Sequence, residues 1–198
     1  TADVTSRILW MLGILGYERS HPKISRAIQY VKDNQENDGS WFGRWGVNYI
    51  YGTWLALTGL RSIGENMTEP CYRRATDWFK SRQNADGGWG ETCESYIDKS
   101  LSGIGRSTAS QTSWALMGLL TGGEVESKTV RRGVNYLLAR QNTQGTWDEP
   151  EFTGTGFPGH FYIKYHMYRH FFPLMALARY RHALKGDLEP RKVRQKRQ

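Results

Sequence analysis

Cysteine is nearly absent from this chain of 198 residues: Cys71 and Cys93 form no C-x-x-C pair and follow no signal-like N-terminus. That excludes a disulfide-stapled scaffold and fits a reducing compartment. Proline is also scarce, with six residues. Apolar runs such as 8–15 fall far short of the roughly 20 residues needed to span a bilayer. No initiator Met precedes Thr1, so an upstream segment is expected. What is plentiful is glycine (22), tryptophan (8) and tyrosine (11), so turns rest on glycine and much apolar area is carried by aromatic rings. A hydrophobic share of 38% beside 23% charge gives the composition of a globular domain able to bury a core.

The formal charge of +8 raises the question of a nucleic-acid partner, but its distribution answers against one. Five positive charges and no negative one lie in the last eight residues, from Arg191 to Gln198, leaving the body nearly balanced. Residues 1–186 are therefore read as the folded domain and 187–198 as a basic, disordered tail. Such a tail is either a solubilising end or a contact to anionic lipid headgroups, the latter worth about 1 kcal/mol per basic residue near the surface.

One pattern recurs three times: Arg-(Ala or Gly)-x-x-aromatic-apolar-x-x-x-Gln-x-x-x-Gly-x-Trp. The first copy has Arg26, Ala27, Tyr30, Val31, Gln35, Gly39 and Trp41. The second has Arg74, Ala75, Trp78, Phe79, Gln83, Gly87 and Trp89. The third has Arg132, Gly133, Tyr136, Leu137, Gln141, Gly145 and Trp147. Each begins as an amphipathic helix whose small residue permits close approach, and ends in Asn/Asp/Gly turn chemistry. The glutamine is positioned to donate to helix-end carbonyls and to accept from a neighbouring segment, with the tryptophan as an apolar cover. A second helical pattern follows each copy, over 49–63, 110–120 and 161–184, and an opening helix is predicted over 4–15. The expected fold is all-α: α/α hairpin repeats of about seven helices with almost no strand, forming part of an α/α toroid, roughly half of a closed ring of about a dozen helices.

The complete repeat is the QW motif. Three copies, the stretch Asp38-Gly-Ser-Trp-Phe-Gly-Arg-Trp-Gly-Val-Asn-Tyr49, the segment Asp3-Val4-Thr5, and Gly154-Thr-Gly-Phe-Pro-Gly159 followed by Phe161-Tyr162, Tyr165 and Met167-Tyr-Arg-His170 together resemble the squalene-hopene cyclases. The resemblance covers nearly the whole chain and identifies it as the C-terminal part of such an enzyme. It implies two α/α barrels, monotopic attachment on the cytoplasmic side of a bacterial membrane, an apolar cavity for squalene or a related polyprene, and no metal or organic cofactor. It also implies an upstream domain as partner and is compatible with a homodimer.

In that family an aspartic acid of an Asp-x-Asp-Asp motif protonates a terminal double bond, and a cation then runs through successive ring closures to hopene or hopanol. Aromatic faces stabilise a desolvated cation without attacking it, by about 2 kcal/mol or more. The resemblance assigns substrate-binding positions to Trp45, Tyr51, Phe157, Phe161, Tyr162, Ile163, Tyr165 and Tyr168. Phe157, Phe161, Tyr165 and Tyr168 are expected to form one stripe at helical spacing, while Trp41, Trp89 and Trp147 belong to the repeat structure. The 198 residues contain no Asp-x-Asp-Asp. No catalytic residue is therefore assigned to this chain, and the fragment is expected to be inactive alone. Asp3 corresponds to a family aspartate beside the acid motif, and Arg7 stands where the best-known bacterial members have histidine. A guanidinium there would hold a neighbouring aspartate ionised unless paired with Asp3, and Asp3 alone reads equally well as an N-cap.

Rival readings are weaker. His166-x-x-x-His170 would place two imidazoles on one helix face, but the glutamate of a zinc motif is missing and Arg169 intervenes. A prenyltransferase β-subunit would use zinc with Asp, Cys and His, for which Cys93 is the candidate. Asp148, Glu149 and Glu151 suggest a glycosidase pair, yet their clustering in one loop favours capping or a surface role. A non-catalytic lipid-binding or structural α/α domain is the remaining alternative.

Overall fold

The structure is a computed structural model, and it describes residues 1–187. The basic tail read from the sequence lies, beyond Asp187, outside the described residues. Seven helices run in the order α1 (Ala2–Ile14), α2 (Pro22–Asp33), α3 (Tyr49–Ser62), α4 (Pro70–Ser81), α5 (Ala109–Thr121), α6 (Lys128–Arg140) and α7 (Tyr168–Ala183). Two short 3-10 turns, Cys93–Tyr96 and Lys99–Leu101, lie between α4 and α5.

The helices fall into two layers for a reason legible in their composition. In α2 the buried residues are Ile24, Ile28 and Val31, one stripe at helical spacing, with polar residues on the other face. α4 and α6 repeat this, burying Tyr72, Ala75, Trp78 and Phe79 in one and Val130, Val134 and Leu137 in the other. Pro22 and Pro70 occupy first-turn positions where no amide donor is needed, and Ser127 Oγ accepts from the Val130 amide to start α6. These are the outer helices.

α3 and α5 lack a separate polar face, their few polar residues being mostly buried with the rest, and α5 is buried along its whole length. With α1 and α7 at the ends they form the inner layer, packed in the order α1, α3, α5, α7. Small residues set the spacing of α1 against α3. A Cβ on Gly59 would collide with the Ser6 carbonyl, and one on Gly13 with the Ser62 carbonyl, so the two backbones touch almost directly. This is the α/α repeat array of part of an α/α toroid, with a core centred on Trp54, Trp114, Leu55, Leu57 and Phe79.

The end of the chain departs from expectation. The predicted helix over 161–184 begins only at Tyr168, and residues before it fold into an antiparallel hairpin, β1 (Gly154–Phe157) and β2 (Phe161–Ile163). Gly154, Gly156, Pro158 and Gly159 all resist helix formation, and Gly159 closes the turn at φ +79°. The register pairs Gly154 with Ile163, Thr155 with Tyr162 and Phe157 with Phe161, with a bulge at Gly156. His166 consequently stands outside α7, so the imidazole pair on one helix face does not form.

Candidate functional site

The repeat junctions have identical chemistry. The indole Nε1 of Trp41 donates to the Val31 carbonyl (2.6 Å), that of Trp89 to Phe79 (2.8 Å) and that of Trp147 to Leu137 (2.8 Å). Each tryptophan thus adds a donor at the C-terminal end of its own outer helix, where backbone amides alone serve the last carbonyls poorly. The glutamines bridge repeats. Gln35 Nε2 donates to Gly39 O within its turn and to Cys71 O of the next outer helix, while its Oε1 accepts from Arg74 (2.9 Å). Gln83 does the same with Gly87 O, Thr129 O and Arg132 (3.0 Å). Among the described residues the Gln141 side chain bonds only to Gly145 O of its own turn. These groups are structural, and the tryptophans are fully buried.

Buried carboxylates fix the inner helices. Glu91 accepts from the amides of Asn48 (3.2 Å), Tyr49 (3.1 Å) and Ile50 (2.9 Å), filling the N-terminus of α3. Its own loop is held by Gln111, whose Oε1 accepts from Glu91 N and whose Nε2 donates to Glu91 O and Val47 O. Burial pushes the Glu91 carboxyl upward, opposed by the three amides. Glu149 caps α5 in the same way, through Ser110 N (2.7 Å) and Oγ (2.8 Å). The capping role read for the 148–151 cluster therefore belongs to Glu149. Glu91 was not singled out in the sequence, although a signal exists: both glutamates stand two residues after a repeat tryptophan.

Asp3 is buried but is not the N-cap of α1, since Thr1 holds that position. One carboxylate oxygen accepts from the Arg44 (2.9 Å) and Trp45 (3.2 Å) amides and the other from Val4 N (2.9 Å), so Asp3 ties α1 to the first repeat loop. Arg7 makes no pair with Asp3. Its Nη2 donates to the Tyr51 hydroxyl (3.0 Å), and its guanidinium lies 5.6 Å from the Tyr51 ring and 5.9 Å from Trp54. Burial raises the Tyr51 phenol, with Arg7 opposing.

The aromatic positions divide into two groups instead of one helical stripe. Tyr51 packs on Trp114 (5.0 Å between centroids), Trp114 on Tyr168 (5.9 Å), and Tyr168 stacks on Tyr165 (4.7 Å). Burial, then the neighbouring Tyr51 and Tyr165, push the Tyr168 phenol up to about 12, so it is protonated at neutral pH. Phe157 and Phe161 meet on the hairpin at 5.6 Å and are both exposed, as is Trp45. Arg44, missed in the sequence, ties Trp45 to the hairpin: it donates to Gly156 O (3.1 Å) and lies 4.4 Å from the Trp45 ring and 5.9 Å from Phe157. Tyr162 faces the other way, stacking on Tyr96 and donating to Cys93 O, and Ile163 is half-buried. Gly154 and Gly156 make room for Tyr165 and Phe161, whose rings a Cβ would strike.

Two features lie apart from this surface. A cleft of about 1160 Å³ opens at the C-terminal ends of α1, α3 and α5, lined by Glu18, Arg19, Arg61, Arg73 and Gly123, and it holds none of the predicted site residues. Among the described residues no cluster of His, Cys, Asp and Glu could hold a metal ion, and no helix is long and apolar enough to cross a membrane. Cys71 and Cys93 are both free thiols.

Residues 1–182 match the family described as the squalene-hopene cyclase C-terminal domain. The chain belongs to the squalene-hopene cyclase family. It is 52% identical over 183 residues to the squalene--hopene cyclase of Alicyclobacillus acidocaldarius, covering 92% of this chain and 29% of that protein. With the squalene--hopene cyclase of Bradyrhizobium diazoefficiens it shares 50% identity over 183 residues, covering 91% and 28%. With the sporulenol synthase of Bacillus subtilis it shares 42% over 189 residues, covering 94% and 30%. The chain thus spans under a third of the length of these curated relatives. Among solved structures, ent-copalyl diphosphate synthase from Streptomyces platensis superposes with a TM-score of 0.58 at 23% identity, covering 78% of this chain and 29% of that one, a likeness of fold.

Proposed function

We propose that this chain supplies the aromatic side of a polyprene-cyclising cavity within a longer squalene-hopene cyclase, with the initiating acid carried elsewhere in that enzyme. The observation that carries the reading is the aromatic surface from Tyr51 through Trp114 to Tyr168 and Tyr165, joined by Trp45, Phe157 and Phe161 beside it. Ring faces attract a cation yet offer it no lone pair in a reactive geometry, so they favour cyclisation over quenching. Burial raises the Tyr51 and Tyr168 phenols, which keeps phenolate nucleophiles away from the cation. Squalene or a related polyprene is the fitting substrate, and attachment to the cytoplasmic face of a bacterial membrane would deliver it.

Asp3 and Arg7 are positioning residues in this reading. Asp3 spends both oxygens on backbone amides, which favours a role in holding the Trp45 loop over one in passing a proton. Arg7 donates to the Tyr51 hydroxyl and so fixes the orientation of that ring.

Incubation with squalene tests both parts. The isolated chain is expected to form no cyclic product, and cyclisation by residues 1–198 alone would refute the assignment of the acid elsewhere. In the longer enzyme, Phe161→Ala is expected to lower turnover about tenfold or more and to release partly cyclised products, since loss of about 2 kcal/mol of cation stabilisation is more than a factor of ten. An unchanged rate and product profile would remove Phe161 from the cation path.

A further inference from the structure

Trp45 is 47% exposed, yet the backbone that carries it is bonded residue by residue to distant segments. The Arg44 and Trp45 amides donate to Asp3, and the Trp45 carbonyl accepts from Thr155 N (3.2 Å). The Gly46 carbonyl accepts from the Tyr96 hydroxyl (2.7 Å). Val47 N donates to Thr153 O (3.0 Å), and Val47 O accepts from Gln111 Nε2 (3.0 Å). Gly46 lies so close to the Tyr51 ring that a Cβ there would strike it, so the loop sets Trp45 and Tyr51 together. Fixing a surface loop costs conformational entropy, and a ring left exposed returns little of it through burial. Such anchoring suits a ring held ready for a contact made outside the core.

The anchoring converges on Asn48 and, through it, on Glu91. Asn48 Oδ1 accepts from Gly43 N (3.1 Å) and closes the loop, while its Nδ2 donates to Ser95 Oγ (3.2 Å). Glu91 Oε2 accepts from the Asn48 and Ile50 amides and Oε1 from the Tyr49 amide, the residues leading directly into Tyr51. Ser95 adds a side-chain bond to the same carboxylate. Gln111 fixes the Glu91 backbone at both N and O. Acceptors alone fit this position. A glutamine of the same shape would turn one oxygen into a donor, and in either orientation at least one of the three amides would face an N–H.

We propose that Glu91 is a positioning residue for cyclisation: by fixing Asn48 and the first turn of α3 it orients Trp45 and Tyr51 toward the polyprene, and the product distribution depends on it. The inference rests on the reading of the aromatic surface as the wall of a cyclisation cavity. Attraction of a cation to a ring depends on its distance from the ring face, so displacing these rings by about 1 Å is felt both in the rate and in how far ring closure proceeds.

In the longer enzyme, Glu91→Gln is expected to lower kcat on squalene about tenfold or more, to change KM less, and to raise the share of partly cyclised products. Glu65→Gln is the comparison, because it removes another buried carboxylate just past the opposite end of α3. Assayed below the melting temperature of both variants, Glu65→Gln should keep the parent's product distribution. The parent's rate and products from folded Glu91→Gln, or the same product shift from Glu65→Gln, would overturn the proposal. Should Glu91→Gln not fold, Ser95→Ala decides: a product shift in the same direction is expected, and parent products would overturn the proposal. Phe161→Ala run beside them keeps the two readings apart. Products altered by Phe161→Ala alone remove the positioning role, and products altered by none of these variants remove the aromatic wall with it.

Discussion

The tryptophan of each repeat performs two tasks at one atom's cost: its ring fills the core, and its Nε1 satisfies a helix-end carbonyl ten residues earlier. Trp41→Phe keeps most of the ring and removes the donor. The Val31 carbonyl keeps only the longer bond from the Asn34 amide (3.3 Å), and loss of the indole bond is expected to cost about 0.5–1.5 kcal/mol, read as a lower urea midpoint at unchanged slope. A midpoint equal to the parent's would mean the indole hydrogen bond carries nothing. Glu65 makes a second case, one that depends on pH. Its burial alone would raise the carboxyl, but Lys32, Tyr72 and Arg19 outweigh that and hold it below its ordinary 4.5. A carboxyl lowered on folding contributes stability that is complete above 4.5 and lost as the pH falls through its folded value. Thermal melts from pH 7 downward should therefore show a loss beginning near 4.5 that Glu65→Gln reduces; identical acid limbs for the two proteins would rule Glu65 out as a source.

At the level of elements, glycines decide how closely inner helices approach. Gly59→Ala drives a methyl into the Ser6 carbonyl, and backbone cannot swing aside as a side chain would. Forced separation of α1 from α3 is expected to cost about 1–3 kcal/mol, measurable as a fall in melting temperature, whereas Gly123→Ala meets no atom and is opposed only by its positive φ. Were Gly59→Ala the milder of the two, the close approach would not be tight. Gly156→Ala belongs to the hairpin: it strikes the Phe161 ring, so in the longer enzyme it should alter product distribution in the way Phe161→Ala does.

The outer helices and two middle inner helices were legible because three spaced copies averaged out local ambiguity. The glutamine's double role was also legible from its place at the helix end. The hairpin was not, because Phe157, Phe161, Tyr165 and Tyr168 fall at helical intervals while the residues deciding the backbone are Gly154 and Gly156 before them and Pro158 and Gly159 among them. Spacing of large residues was allowed to outweigh the breakers. Of the two readings open for Asp3, the N-cap one fails because Thr1 holds that position, and two of the amides that Asp3 does meet lie more than forty residues away, beyond any local pattern.

For the whole molecule, the two middle inner helices each draw a carboxylate acceptor from a later segment: α3 from Glu91 and α5 from Glu149. Cutting the chain after α6 removes Glu149 and the α7 aromatics that pack on Trp114, so α5 keeps its Thr108 cap but should lose the carboxylate on Ser110 and one flank together. Hydrogen exchange on a protein truncated at 140 is expected to deprotect α5 while α3 keeps its protection; uniform loss along the chain would indicate a single cooperative unit.

The glutamine contacts also give the array a direction. Every bridging glutamine reaches forward, Gln35 to Arg74 and Gln83 to Arg132, and none reaches back. Such a structure is fastened like a row of hooks, each engaging the eye ahead of it. Releasing one hook frees its successor's outer helix but leaves its own turn closed through Gly39 or Gly87. Damage at one turn is therefore felt one repeat downstream, and a destabilising change in the first turn should register first in α4.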